Sequence, residues 1–331
     1  MTDSLLDVVC VGNAIVDVLV QTEDAVIAEH GMVKGTMALI DAEQAEALYA
    51  AMPQGIETSG GSAGNTAAGL ASLGARCAFI GKVRDDQLGN VFAQDIRAVG
   101  AEFTTPAATD GPPTARCLIL ITPDAERTMN TFLGASVNLG PEDIDEELIA
   151  RAQVTYLEGY LWDREAAKAA FHRAAGFAHA HDRMVSLSLS DPFCVDRHRE
   201  SFRELVRDHV DILFANEDEI TSLYEVDDFD AAVQHVRLDC RVTALTRSEK
   251  GAVVVSGDEV HIVDAAPFSA IVDTTGAGDQ FAAGFLRGFT LGDDLAACPR
   301  IGAITAAEVI DHVGPRPQVN LAELVAARLA D

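Results

Sequence analysis

Basic side chains are scarce in this chain: 24 lysines and arginines stand against 52 aspartates and glutamates, a formal charge of −28 over 331 residues. The field of such a surface repels phosphodiester backbones and anionic lipid, which argues against nucleic-acid and membrane partners. It leaves room for a nucleotide site, because backbone amides and Mg²⁺ reverse the potential locally. CxxC pairs and metal-like spacings are missing among Cys10, Cys77, Cys117, Cys194, Cys240 and Cys298, so these read as reduced thiols used as small core residues. The apolar run near the N-terminus is interrupted by Asp7, Asn13 and Asp17 and has no basic leader, so it reads as neither a signal peptide nor a membrane span. The cytoplasm is the expected compartment. Low-complexity tracts and a Walker-type phosphate loop are lacking too. With 48% hydrophobic residues, the chain is expected to fold as one large α/β domain with a smaller appendage, or as two modest domains.

What is present is a regular alternation. Val8–Val11 and Ile15–Val20 are β-branched runs joined through Gly12-Asn13-Ala14, so a strand enters, turns and continues. Asp17, inside the second run, either faces solvent or accepts hydrogen bonds from ligand hydroxyls. Met32–Ile40 reads as an exposed strand pair, and Asp41 caps a predicted helix reaching Met52. Ser59–Leu70 begins as a glycine turn and becomes a helix of small residues. Close packing explains Gly69 and the alanines, whereas Gly60-Gly61 and Asn65 suit a backbone approaching a polar ligand. A strand at Arg76–Lys82 and a helix at Leu88–Val99 complete a β-α-β-α rhythm. Residues 101–132, rich in Thr and Pro, break it. Arg116–Thr122 and Arg127–Phe132 read there as a hairpin apart from the main sheet, forming a small β-sheet lid together with Ile15–Ile40. From Pro141 the alternation resumes, with helices at Glu142–Ala150, Arg164–Ala180, Arg199–Asp208 and Asp227–His235. Strands are predicted at Val154–Glu158, Met184–Leu189, Ile212–Ala215, Arg241–Thr246 and Ala252–Ser256. Such a rhythm predicts a mostly parallel sheet with helices on both faces and ligands beyond the carboxyl ends of its strands.

Several polar groups fall at those ends. Asn216-Glu217-Asp218-Glu219 is either an acidic helix start or a set of hard oxygen ligands organising Mg²⁺ through water. Thr246-Arg247-Ser248-Glu249-Lys250-Gly251 is either a hairpin turn or a resting place for nucleotide phosphates. Ile271–Asp273 reads as a short strand, Thr274-Thr275-Gly276-Ala277-Gly278 as a turn, and the following segment as a helix with a buried Phe281, Phe285, Phe289 stripe. Glycines that admit close approach, opening onto a helix start with free amides, make an anion site. Asp279 beside that cradle suits proton acceptance better than phosphate binding, which points to phosphoryl transfer onto a hydroxyl with Asp279 as the base. Gly276-Ala277-Gly278 also matches the start of a dinucleotide GxGxxG, but Phe281 occupies its third position.

These blocks together resemble the ribokinase-like (PfkB) family of carbohydrate and nucleoside kinases. Gly60-Gly61-Ser62-Ala63-Gly64-Asn65, continuing to Gly81 and Asp85-Asp86…Gly89, is similar to its first signature, and Asp273-Thr274-Thr275-Gly276-Ala277-Gly278-Asp279 to its second. The resemblance spans nearly the whole chain. It implies one ribokinase-like αβα sandwich over residues 1–331, with a lid from roughly residues 13–40 and 101–133. It also implies ATP-dependent phosphorylation of an alcohol, with Asp279 as base and the Gly276, Ala277 and Gly278 amides as anion hole. Asn216, Glu219, Thr246, Ser248, Gly251 and Thr275 would hold ATP and Mg²⁺, with Glu219 reaching the metal through water; Ser248 stands where the family more often has glycine. A monovalent cation is left open beside them.

Gly12-Asn13-Ala14-Ile15-Val16-Asp17 and Arg127–Ala135 resemble the adenosine-kinase-like branch. By that likeness Asp17, Gly60, Gly61 and Asn65 bind ribose hydroxyls and Asn13 lies near the base. The alternative within the family is a sugar kinase of the ribose, fructose or 2-keto-3-deoxygluconate type. The candidate pocket blocks contain no Lys or Arg, which favours a neutral acceptor; Arg116 and Arg127 on the lid either oppose that or close over ATP phosphates. A monomer and a homodimer joined through the lid are both compatible with the sequence.

Overall fold

Residues 5–124 and 126–330 are described by the computed structural model. Its larger sheet has nine strands in the order Glu259–Val263, Ala252–Ser256, Val242–Thr246, Ile212–Asn216, Met184–Ser188, Ala152–Glu158, Leu6–Val11, Cys77–Ile80 and Glu102–Phe103. From Val242–Thr246 to Glu102–Phe103 every pairing is parallel; the other two strands add an antiparallel edge. Leu6–Val11 is buried along its whole length, because a parallel strand covered on both faces must be apolar throughout.

The period of two divides its side chains between two cores. Val9 and Val11 join Phe171, Phe202 and Leu223 on one side, while Val8 and Cys10 join Leu70, Phe92 and Phe285 on the other. That is an αβα sandwich, with twelve α-helices among the described residues. The Phe stripe is real: Phe281 and Phe285 are buried, Phe289 partly so, and Phe285 meets Phe214 edge-on at 5.3 Å.

The second sheet has five strands, in the order Met37–Leu39, Arg127–Phe132, Ala115–Ile121, Ile15–Gln21 and Ile56–Gly60. Val16, Val18, Val20, Leu118 and Leu120 turn one face toward the core. Its other face carries Ile15, Leu19, Cys117, Ile119 and Met129 as a separate apolar cluster, with Asp17 in the middle of it, directly opposite Cys117.

Several expected boundaries move. Only Met37–Leu39 of the Met32–Ile40 segment is a strand, Asp24–Glu29 is a short helix, and Ile56–Gly60 joins the small sheet, a strand the sequence reading lacked. Glu102–Phe103 belongs to the main sheet, so residues 101–103 lie outside the small one. The helix expected from Glu142 begins at Glu146 instead, after a 3₁₀ turn, because the Asp145 carboxylate caps the Glu147 and Leu148 amides. The helix expected from Arg199 is there, but a kink at His198 (φ −130°, ψ 20°) joins it to a preceding helical segment that starts at Pro192, where Asp191 caps it. Ile271–Asp273 is not a strand. Ile271 is exposed, and the Asp273 carboxylate collects the Thr275 and Gly314 amides at 3.0 and 2.9 Å, folding this segment into a loop.

Candidate active site

Two helices of small residues bring the motifs together. Ser62–Ser72 starts at Gly61 and Ala277–Leu291 starts at Gly276, and their first turns face each other. Buried Gln280 ties them, donating to the Asn65 carbonyl at 3.1 Å and the Pro315 carbonyl at 3.0 Å. Gly276 has φ +82°, and a Cβ there would lie 2.6 Å from Pro315 Cβ, so both conformation and space demand glycine. No side chain caps this helix start, and a Cβ on Gly278 would meet nothing within 4 Å. The first-turn amides therefore open toward a ligand; Ala277 is partly committed, donating to Thr274 O at 3.2 Å.

Asp279 stands in that first turn. Its Oδ1 accepts from Ser62 Oγ at 2.6 Å and its Oδ2 from Asn65 Nδ2 at 2.9 Å, contacts bridging 217 and 214 residues of sequence. Burial pushes its proton affinity up, while Ser62, Asn65 and the Arg316 charge pull it back. The result is a carboxylate held in place with lone pairs to spare, beside amides that attract an anion.

Asp17 is not a solvent-facing strand residue. It is half-buried against Gly60, where a Cβ would fall 2.3 Å from Asp17 Oδ2. Burial raises its pKa to about 6 against the pull of Arg316 and Arg127, with Asp279 adding to the rise. Gly61 has φ +83° and admits the Asn13 carbonyl, which would lie 2.3 Å from a Cβ. The double glycine thus makes room for Asp17 and Asn13 within the protein. Asn13 is buried and committed at both ends: Nδ2 donates to Glu158 Oε1 at 2.6 Å, and Oδ1 accepts from Ser136 Oγ at 2.9 Å. That is the geometry of a brace.

On the opposite side, a cavity of about 410 Å³ runs from Ser62, Asn65 and Asp279 to Asn216, Glu219 and Thr246, with Thr275 and Gly276 in its wall. Asn216 and Glu219 form a reciprocal cap: Asn216 Oδ1 accepts from the Glu219 amide, and the Glu219 carboxylate accepts from Asn216 N and Nδ2. Burial lifts the Glu219 pKa to about 7. Among the described residues no group of three His, Cys, Asp or Glu side chains could hold a metal by itself. This donor set fits Mg²⁺ that keeps its waters and takes its other ligands from phosphate. Ser248 and Gly251 lie in the turn beyond, outside the cavity lining. Ser248 is exposed at φ +51°, and Gly251 packs on the Val263 carbonyl.

Two participants, Glu158 and Arg316, and the partner of a third, Arg127, were not evident from the sequence. Glu158, buried at the end of an apolar strand, accepts from Asn13 N, Asn13 Nδ2 and Ala63 N. Arg316 donates to Asn65 Oδ1 at 3.0 Å, so the acceptor side does hold a cation, contrary to what the pocket blocks alone suggested. Arg127 reaches from the small sheet to Asp273 at 2.7 Å, both side chains more than nine-tenths buried. A carboxylate at a strand's carboxyl end was a usable signal for Glu158; Arg316, between two prolines near the C-terminus, offered none.

The αβα frame, the small second sheet and a carboxylate set at an anion-binding helix start define the class: an ATP-dependent kinase of the ribokinase-like fold. The chain belongs to the pfkB family of carbohydrate kinases, whose sequence profile matches residues 7–320. Adenosine kinase of Saccharomyces cerevisiae is 28% identical over 329 aligned residues, 93% of this chain and 95% of that one. ATP-dependent ribose-1-phosphate kinase of Halopiger xanaduensis is 32% identical over 259, covering 76% and 81%. The crystal structure of adenosine kinase from Sinorhizobium meliloti superposes with a TM-score of 0.89 at 52% identity, over 99% of this chain and all of that one.

Proposed function

We propose that this kinase transfers the γ-phosphoryl group of ATP to the 5′-hydroxyl of adenosine, with Asp279 as general base. The observation that carries the choice of a nucleoside over a bare sugar is the apolar face around Asp17. Ile15, Cys117 and Ile119, which are buried, and Leu19 and Met129, which are partly so, surround one carboxylate, an apolar wall matched to a planar base joined to a hydroxyl-bearing ring. The likeness to adenosine kinases over nearly the full chain supports the same reading.

In the proposed reaction the small sheet closes as a lid, Asp17 and Asn65 hold ribose hydroxyls, and Asn13 braces the turn behind them. Asp279 takes the proton of the 5′-hydroxyl as its oxygen bonds to the γ-phosphorus and the bond to ADP breaks. The amides of Gly276, Ala277 and Gly278 receive the charge on the transferring group. Mg²⁺, held through water by Glu219 and Asn216, would neutralise phosphate oxygens. Thr246 and Thr275 face the phosphates and Ser248 and Gly251 the outer part of ATP, while Arg127 stays paired with Asp273 and ties the small sheet to the loop before the anion hole. A reducing compartment such as the cytoplasm suits the six cysteines, all free and buried.

A second reading, a phosphorylated sugar as acceptor, draws on Arg316 and on the ribose-1-phosphate kinase relative. Against it, the guanidinium is already engaged by Ser59 and Asn65 and faced by Asp17, Asp95 and Asp279. ADP release should be followed with Mg-ATP and adenosine, guanosine, ribose, ribose 1-phosphate, fructose and 2-keto-3-deoxygluconate. We expect adenosine to give the highest kcat/KM; a higher value for any sugar or sugar phosphate refutes the assignment.

A further inference from the structure

We propose that Arg316 is a positioning residue for the base: it fixes the Asn65 amide in the one orientation that presents an N–H to the Asp279 carboxylate. The inference rests on the kinase reading, with Asp279 as the base. The polarity of the chain of contacts is unambiguous. A guanidinium can only donate and an ionised carboxylate can only accept. Arg316 Nε donates to Asn65 Oδ1 at 3.0 Å, so Asn65 must turn its NH₂ to Asp279, where Nδ2 meets Oδ2 at 2.9 Å. With the amide reversed, an N–H would oppose the guanidinium and a carbonyl oxygen the carboxylate.

Arg316 is itself pinned. Nη2 donates to the Ser59 carbonyl at 2.5 Å and to Ser59 Oγ at 3.0 Å. Ser59 sends its amide and hydroxyl protons to Asp95 Oδ2 at 2.8 and 2.6 Å. A buttress thus runs from the Gln87–Ala98 helix through Ser59 and Arg316 to Asn65 and Asp279. The charge of Arg316 also favours the ionised forms of Asp279 and Asp17. Other titratable groups facing this centre are Asp95, Arg127, Tyr156, Glu158 and Tyr160, and none of them touches the Asn65 amide oxygen.

The test is the pH dependence of kcat, with adenosine and Mg-ATP saturating, for wild type, Arg316→Gln and Arg316→Lys, each checked for folding by circular dichroism. Losing the charge and the Asn65 lock should move the acid limb of Arg316→Gln upward by about one pH unit. Plateau kcat should fall by more than KM rises. Lysine keeps the charge but not the two-sided fork, so Arg316→Lys should retain the wild-type limb with a plateau reduced about tenfold. A merely structural arginine would lower active enzyme equally at every pH and leave the limb unmoved in Arg316→Gln, and that result overturns the inference. If Arg316→Gln does not fold, Arg316→Lys decides, with kcat expressed per adenosine-binding site counted by calorimetry: a lowered kcat per site supports the role, because a merely structural loss removes sites without slowing those that remain, and a wild-type kcat per site refutes it. A wild-type protein inactive on every alcohol acceptor removes the kinase reading and this inference together, whereas active wild type with an unmoved limb in Arg316→Gln removes only the inference.

Discussion

Replacing Glu158 by glutamine should abolish a pH dependence of folding stability that one buried carboxylate creates. Glu158 is 1% exposed and accepts three N–H groups, from Asn13 N, Asn13 Nδ2 and Ala63 N. Burial outweighs those bonds and raises its pKa from 4.5 to about 7. The native state therefore binds more protons than the unfolded chain between those values, so stability is lost as pH rises from about 4.5 to about 7 and is flat above. At 1.36 kcal/mol per unit, the loss between pH 5 and pH 8 is about 2–3 kcal/mol. Glutamine does not titrate, and the site can accept it. One carboxamide oxygen keeps the two backbone amides, and the new NH₂ is satisfied if Asn13 flips its own amide. Asn13 Nδ2 would then donate to Ser136 Oγ, whose single proton already has the Leu133 carbonyl as an acceptor at 2.6 Å. Urea denaturation of wild type and Glu158→Gln at pH 5 and pH 8 reads the effect directly. Asp17 and Glu219 also contribute to the wild-type slope, so the quantity of interest is the difference between the two proteins. We expect the variant to lose about 2–3 kcal/mol less than wild type over that interval; identical losses would refute the account of Glu158.

Two further outcomes follow for Asp279 as the proposed base and for Gly276 beside it. Asp279→Asn keeps an acceptor for Asn65, and Ser62 can turn its hydroxyl to accept from the new amide, so calorimetry should find adenosine affinity little changed while kcat falls by about 10²–10⁴. Wild-type-like turnover would remove Asp279 from the base role. Gly276→Ala places a Cβ 2.6 Å from Pro315 Cβ at φ +82°, which should cost ~1–3 kcal/mol in thermal denaturation and lower kcat by opening the helix start; a variant equal to wild type in both would show that the loop yields freely.

The parts of the site that the sequence exposed are those whose residue types have few other uses. An acid directly after Gly-Ala-Gly, and a double glycine four residues ahead of an asparagine, are costly unless they serve a ligand or an unusual turn. The alternating β and α segments were legible for the same reason, since a doubly covered strand such as Leu6–Val11 must be apolar throughout. Ile271-Val272 carries the β-branched pattern of a strand without forming one, because the Asp273 side chain consumes the local amides before a ladder can form. Glu158, Arg316 and the partner of Arg127 were hidden because each gains meaning only from contacts more than ninety residues away. Local pattern carries no signal of such pairings.

The contacts that complete Asp279 also set when the site can exist. Ser62 and Asn65 leave the ribosome long before Asp279 and Arg316, and at 5–20 residues per second the 214-residue interval from Asn65 to Asp279 takes roughly 10–40 s. Through that interval the nascent chain carries Asp17 and Asp95 without the C-terminal guanidinium that faces them. The Ser62–Ser72 helix likewise waits for Ala277–Leu291 to cover it. Synthesis and assembly are thereby ordered: the Asp17, Gly61 and Asn65 side of the site is made first, and Asp279 and Arg316 arrive in the last sixth of translation.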